Sequence, residues 1–88
     1  MPDTLRKKAD LFITVKSRKG TLFEGSAFSI TSMNEFGFFD VLPEHANFVT
    51  LIKDFVVLDK DLTSQKDIKL EKGILTVLAN KVKVYVGI

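Results

Sequence analysis

Gly37-Phe38-Phe39-Asp40-Val41-Leu42-Pro43-Glu44-His45-Ala46-Asn47-Phe48-Val49-Thr50 sets the one histidine of the sequence, and the one proline beyond Pro2, between two strongly apolar segments. Proline fixes φ and donates no backbone hydrogen bond, so Pro43 ends the run Phe38 to Leu42, and Phe48 to Ile52 begins a new strand. The His45 ring is thereby held at a strand-to-strand corner. Its plainest role is a ring hydrogen-bonded to neighbouring backbone, which stiffens that corner.

Strand signals extend outward from the corner in both directions. Leu11, Ile13 and Val15 alternate with Phe12, Thr14 and Lys16, and Ser17-Arg18-Lys19-Gly20 turns the chain back into Thr21 to Glu24 as a hairpin. A strand over Ala27 to Met33 puts Phe28 and Ile30 on one face, and Asn34-Glu35-Phe36-Gly37 turns it into Phe38 to Leu42. Alternation sets Phe39 and Val41 on one side and Phe38 and Asp40 on the other, so Phe38 is exposed if Phe39 and Val41 enter the core.

Beyond the corner, Phe48 to Ile52 and Phe55 to Leu58 read as two buried strands joined tightly through Lys53-Asp54. Asp59 to Lys66 is polar and reads as a loop, with too few apolar residues to anchor a helix. Asp67 to Glu71 alternates, Lys72-Gly73 reads as a turn into Ile74 to Ala79, and Asn80-Lys81 as a turn into Val82 to Val86, where every second residue is valine. The pattern predicts an all-β fold, a flattened sandwich or barrel of about nine to ten short, mostly antiparallel strands. No window carries sustained helical periodicity.

The composition fits one ordered domain. The chain has 88 residues, 45% of them hydrophobic, with eight Phe and no Cys. Residues 1–9 read as a flexible basic arm built on Arg6-Lys7-Lys8, and 10–88 as a single β-sandwich domain. The absence of cysteine excludes a disulfide framework, a thiolate metal site and a cysteine nucleophile together. A net charge of +2, with signs alternating along the chain, is too weak a field to imply nucleic acid.

The motifs that could carry chemistry point away from catalysis. Glu44 and His45 are adjacent, so in an extended chain they face opposite ways and make a poor start for a metal site. No Gly-x-Ser-x-Gly elbow accompanies His45, and so small a chain has no room for a deep cleft. Catalytic, cofactor and metal residues are accordingly predicted to be none. Glu35-Phe36-Gly37-Phe38-Phe39 is superficially similar to the aromatic strand of small single-stranded nucleic-acid-binding barrels, which is the alternative reading. Asn34, Glu35 and Asp40 flank those aromatics, however, and carboxylates there repel phosphates. A small hydrolase is a more distant third.

Leu22-Phe23-Glu24-Gly25, then the Val41-Leu42-Pro43-Glu44-His45-Ala46 corner, then Gly73-Ile74-Leu75-Thr76-Val77 and the hairpin at Asn80-Lys81-Val82 occur in an order that resembles the N-terminal β-sandwich of the F-type ATP synthase epsilon subunit. The likeness covers about residues 10 to 86. The family commonly has glycine at the positions of Asp40 and Glu44, an acidic residue at that of Phe38, and a Gly-Gly pair where this chain has Lys72-Gly73. The resemblance implies a non-catalytic central-stalk subunit that binds the gamma subunit and the c-ring and couples proton transport to ATP synthesis. It implies a monomer in isolation, held peripherally at the cytoplasmic face of a bacterial plasma membrane. By position, Ser17, His45 and Thr50 are implied to face gamma, and Glu35, Phe36 and Phe38 the ring. Family members commonly continue into a C-terminal helical hairpin; with the sequence ending at Ile88, the expectation is either a naturally short form or the N-terminal domain taken without its hairpin, and in both cases a chain that neither binds ATP nor inhibits hydrolysis through such helices.

Overall fold

The computed structural model describes residues 10–87; the basic arm over 1–9 and Ile88 lie outside the described residues. Seven strands follow in chain order: β1 (Leu11–Ser17), β2 (Gly20–Ala27), β3 (Ile30–Asn34), β4 (Gly37–Val41), β5 (Phe48–Leu58), β6 (Lys66–Leu78) and β7 (Lys81–Val86). They form one sheet in the order β2-β1-β7-β6-β5-β3-β4. Every neighbouring pair is antiparallel except β1 with β7, which runs parallel. No helix of the described residues is long and apolar enough to cross a membrane.

The strand count falls below the nine to ten expected because two predicted junctions are not junctions. Phe48 to Ile52 and Phe55 to Leu58 are halves of β5, and Asp67 to Glu71 and Ile74 to Ala79 largely merge in β6. The β5·β6 register slips between Lys53 and Phe55, with Asp54 at φ 75. A positive φ and a register slip bend a strand without ending it. Gly73 is likewise no turn residue. It lies mid-strand, where an added Cβ would sit 2.7 Å from the Tyr85 carbonyl oxygen, so the glycine is there for close backbone approach.

The bend folds the sheet over. The N-terminal half of β5 and the C-terminal half of β6 continue into β7, β1 and β2, while the other halves continue into β3 and β4. The two layers close on one core. Leu11, Ile13, Val15, Leu75, Val82 and Val84 enter it from the first layer, and Ile30, Val41, Val56 and Leu58 from the second, each almost fully buried. Alternation along each strand puts these residues inward, and burying them is the main force holding the layers together.

A second departure lies between β2 and β3. The single strand expected over Ala27 to Met33 breaks at Phe28 and Ser29, where the chain crosses between layers and Phe28 is left half-exposed. Asp59 ties the crossing down. Its nearly buried carboxylate accepts hydrogen bonds from the Phe28 N–H at 2.6 Å, the Ser29 N–H at 3.3 Å and the Ser64 hydroxyl at 2.6 Å. A buried carboxylate with this many donors is compensated for its lost hydration.

Candidate functional site

The Pro43 corner is a closed turn. The His45 N–H donates to the Leu42 carbonyl at 3.1 Å, with Pro43 at the second turn position and Glu44 at the third with φ 68. This is the type II arrangement, in which proline presets one φ and the next residue must take a positive one. Two asparagines stitch the corner to the β6–β7 hairpin. Asn80 Oδ1 accepts from the Glu44 N–H at 2.6 Å, and Asn47 Oδ1 accepts from the Ala79 N–H at 2.9 Å. Ala79 and Asn80 both have positive φ, so the turn comes one residue earlier than the expected Asn80-Lys81, and the Asn80 carbonyl accepts from the Phe12 N–H at 2.9 Å.

His45 belongs to this fabric. Its Nδ1 lies 2.7 Å from the Ala46 carbonyl, and its ring stacks on Phe48 at 4.8 Å between centroids. Phe48 in turn meets Phe39 edge-on at 6.0 Å. Because Phe39 comes from β4 and Phe48 from the first half of β5, this aromatic series joins one layer to the other at the corner. Phe39 is partly buried against the core and Phe38 is 73% exposed, which is the facing that alternation predicts. Phe38 lies at 5.7 Å from the ring of Phe55 on the outer side.

At the β3–β4 connection, Glu35 and Phe36 form a tight turn. The Asn34 side-chain oxygen accepts from the Phe36 N–H at 2.8 Å, and Gly37 takes φ 120. That geometry presents Phe36 outward, 89% exposed, an unusual state for a large apolar ring and one that suits a contact. Asn34 Nδ2 also donates to Thr50 Oγ1 at 3.2 Å. A hollow of about 560 Å³ opens here, lined in part by Glu35, Phe36, Val49, Thr50 and Leu51.

The residues singled out in the sequence therefore do not form two separate clusters. Thr50 stands beside the Glu35-Phe36 turn. Ser17 is in the β1–β2 hairpin tip, its hydroxyl accepting from the Lys19 N–H at 3.2 Å, whereas His45 lies by the Ala79-Asn80 turn near the start of β1. The length of β1 separates these two ends by roughly 20 Å. The hydrogen bonds by which Asn47, Asn80 and Asp59 organise the loops have no local sign in the sequence, because their partners lie about thirty residues away along the chain. Among the described residues no three of His, Cys, Asp and Glu converge as metal ligands would.

Comparison with known proteins agrees with this architecture. A family model described as the ATP synthase delta/epsilon chain β-sandwich domain matches residues 10–87. No curated protein sequence matches the chain. Among solved structures, a chain of the Euglena gracilis mitochondrial ATP synthase (OSCP/F1/c-ring) superposes with a TM-score of 0.80 at 15% identity, over 89% of this chain and 51% of that one. A chain of the Tetrahymena thermophila mitochondrial ATP synthase central stalk and c-ring superposes with a TM-score of 0.71 at 12% identity, over 86% of this chain and 62% of that one. The chain thus spans between about half and three-fifths of the length of these structural relatives.

Proposed function

The chain belongs to the ATP synthase delta/epsilon β-sandwich family, and from that premise we propose that it is a non-catalytic rotor subunit resembling epsilon. It binds the gamma subunit and rests on the c-ring, so that proton-driven rotation is passed to the catalytic head. It needs no cofactor, and its attachment to the membrane is peripheral, through the complex, at the cytoplasmic face of a bacterial plasma membrane. The observation that carries the reading is the family match, which takes in both the Pro43 corner and the Glu35-Phe36 turn.

The construction of the domain supports this role. A part that passes torque must resist deformation, and two layers sharing β5 and β6 around a close-packed aliphatic core provide a stiff body. Ser17, His45 and Thr50 are assigned to gamma, and Glu35, Phe36 and Phe38 to the ring. The exposure of Phe36 and Phe38 supports the second assignment.

Co-purification with gamma is the test. The wild-type chain should retain gamma, and placing a bulky charge at His45 or Thr50 should weaken the complex by at least about 1 to 2 kcal/mol, or roughly tenfold. A wild-type chain that retains no gamma overturns the reading. If it instead binds single-stranded oligonucleotides in a salt-sensitive way, the small-barrel alternative takes its place.

A further inference from the structure

Resting on the gamma and ring assignments above, we infer that Asn34, a residue in neither set, is a positioning residue that couples the two contacts. Engagement of Thr50 by gamma firms the turn that presents Phe36 to the ring.

The turn needs support from outside itself. Asn34 and Gly37 form the last pair of the β3·β4 ladder, which leaves only Glu35 and Phe36 in the loop. Two-residue hairpin loops favour a positive φ at one or both central residues, because such turns match the twist of the flanking strands. Neither Glu35 nor Phe36 has one; the positive φ falls on Gly37 instead. What holds the loop is the Asn34 carboxamide, whose Oδ1 accepts from the Phe36 N–H at 2.8 Å.

The other end of the same side chain reaches the other layer. The β3·β5 ladder ends at Met33 with Lys53, so the Asn34 backbone has no ladder partner on β5. Its side chain supplies the link, Nδ2 donating to Thr50 Oγ1 at 3.2 Å, and that hydroxyl donates in turn to the Leu51 carbonyl at 3.2 Å. The bonds run in one direction, from the Phe36 N–H through the amide and the hydroxyl to a carbonyl, and bonds in series polarise one another. Asn34, Phe36 and Thr50 all border the one hollow of about 560 Å³.

Chemistry explains why an amide stands here. Only a carboxamide accepts at one end and donates at the other, so it can hold the Phe36 N–H and the Thr50 oxygen together. A threonine side chain divides between χ1 wells, and a contact that fixes Thr50 in the well it occupies here keeps Oγ1 on Asn34 and the amide on Phe36. Linkage makes the effect reciprocal, so a ring that grips the Phe36 turn tightens the hold of gamma on Thr50 by the same factor. One side-chain hydrogen bond transmits it, which sets that factor at about three- to tenfold.

Water-exchange NMR of the Phe36 amide reads the link. In the isolated chain Thr50→Val should speed its exchange severalfold, because Asn34 loses its second anchor, and Asn34→Ala should speed it further. Asn34→Ser keeps an acceptor for the turn but is too short to reach Thr50, so it should behave as Thr50→Val does. Asn34→Asp should restore slow exchange, since a carboxylate accepts both from the Phe36 N–H and from a Thr50 hydroxyl turned away from Leu51. Added gamma should slow Phe36 exchange about three- to tenfold in the wild-type chain and not in Asn34→Ser. Melting curves on each variant keep lost folding apart from lost coupling. The coupling is overturned if Thr50→Val leaves Phe36 exchange at the wild-type rate, or if gamma slows it equally in the wild type and Asn34→Ser, which marks direct cover. Either result leaves the gamma contact standing. A wild-type chain that binds no gamma overturns the reading of the contacts themselves, and the coupling with it.

Discussion

Phe38 and Phe39 are chemically identical neighbours with opposite fates, and strand parity alone separates them. Phe39 touches the core and the Phe48 ring; Phe38 faces water beside Phe55. Phe39→Ala should therefore cost roughly 2 to 4 kcal/mol of folding stability, and Phe38→Ala no more than about 1 kcal/mol, the value of its one aromatic contact. Thermal melts of the two variants check the ordering, and an inverted order would remove the basis for a Phe38 contact. Glu44 gives a second test. At φ 68 a glutamate is strained and a glycine is not, so Glu44→Gly should raise stability by about 1 kcal/mol in chemical denaturation. Both facts were accessible in the sequence, the first through period-2 alternation and the second through the glycine common at that position in the family it resembles. The bonds of Asn47 and Asn80 were not, because a side-chain amide gives no local sign of a backbone partner on a distant hairpin.

The elements show where reading by pattern reaches its limit. Each half of β5 and of β6 is legible as a strand, but by local pattern the joins read as tight turns. Lys53-Asp54 and Lys72-Gly73 have the polar and glycine character of turns, yet here they serve a bend within one hydrogen-bonded ladder. Local sequence cannot tell these cases apart, since both need a positive φ or a missing Cβ. Only the partner strand, which continues without interruption, decides between them. Gly73→Ala tests this account. A turn glycine with open space would tolerate alanine at a cost set by φ alone, but a Cβ at 2.7 Å from the Tyr85 oxygen forces β6 and β7 apart. The variant should lose about 1 to 3 kcal/mol, with amide protection lost first along Ile74 to Val86.

For the molecule as a whole, the sequence carried the fold class and, through the order of its segments, the family. It did not carry the surfaces. Which outward residues stand side by side depends on register between strands up to seventy residues apart, such as Thr14 with Lys83, and no local pattern encodes that pairing. The same pairing bears on how the protein is made. On a ribosome, β1 and β2 emerge early and can form their hairpin, but the inner neighbour of β1 is β7, which is the last of the seven strands to emerge. Until residues 81–86 arrive, β1 and β2 have no ladder to join, and Ile13 and Val15 lack the Val82 and Val84 they pack beside. A nascent chain arrested after Leu78 should thus remain protease-sensitive, and one extended through Val86 and clear of the exit tunnel should become resistant in a single step. Gradual resistance before β7 emerges would show that the early strands fold unaided. Insertion of β7 between two already synthesised neighbours converts a tethered hairpin and a partial sheet into one body, so translation of residues 81–86 sets the moment at which the sandwich first exists as a folded object.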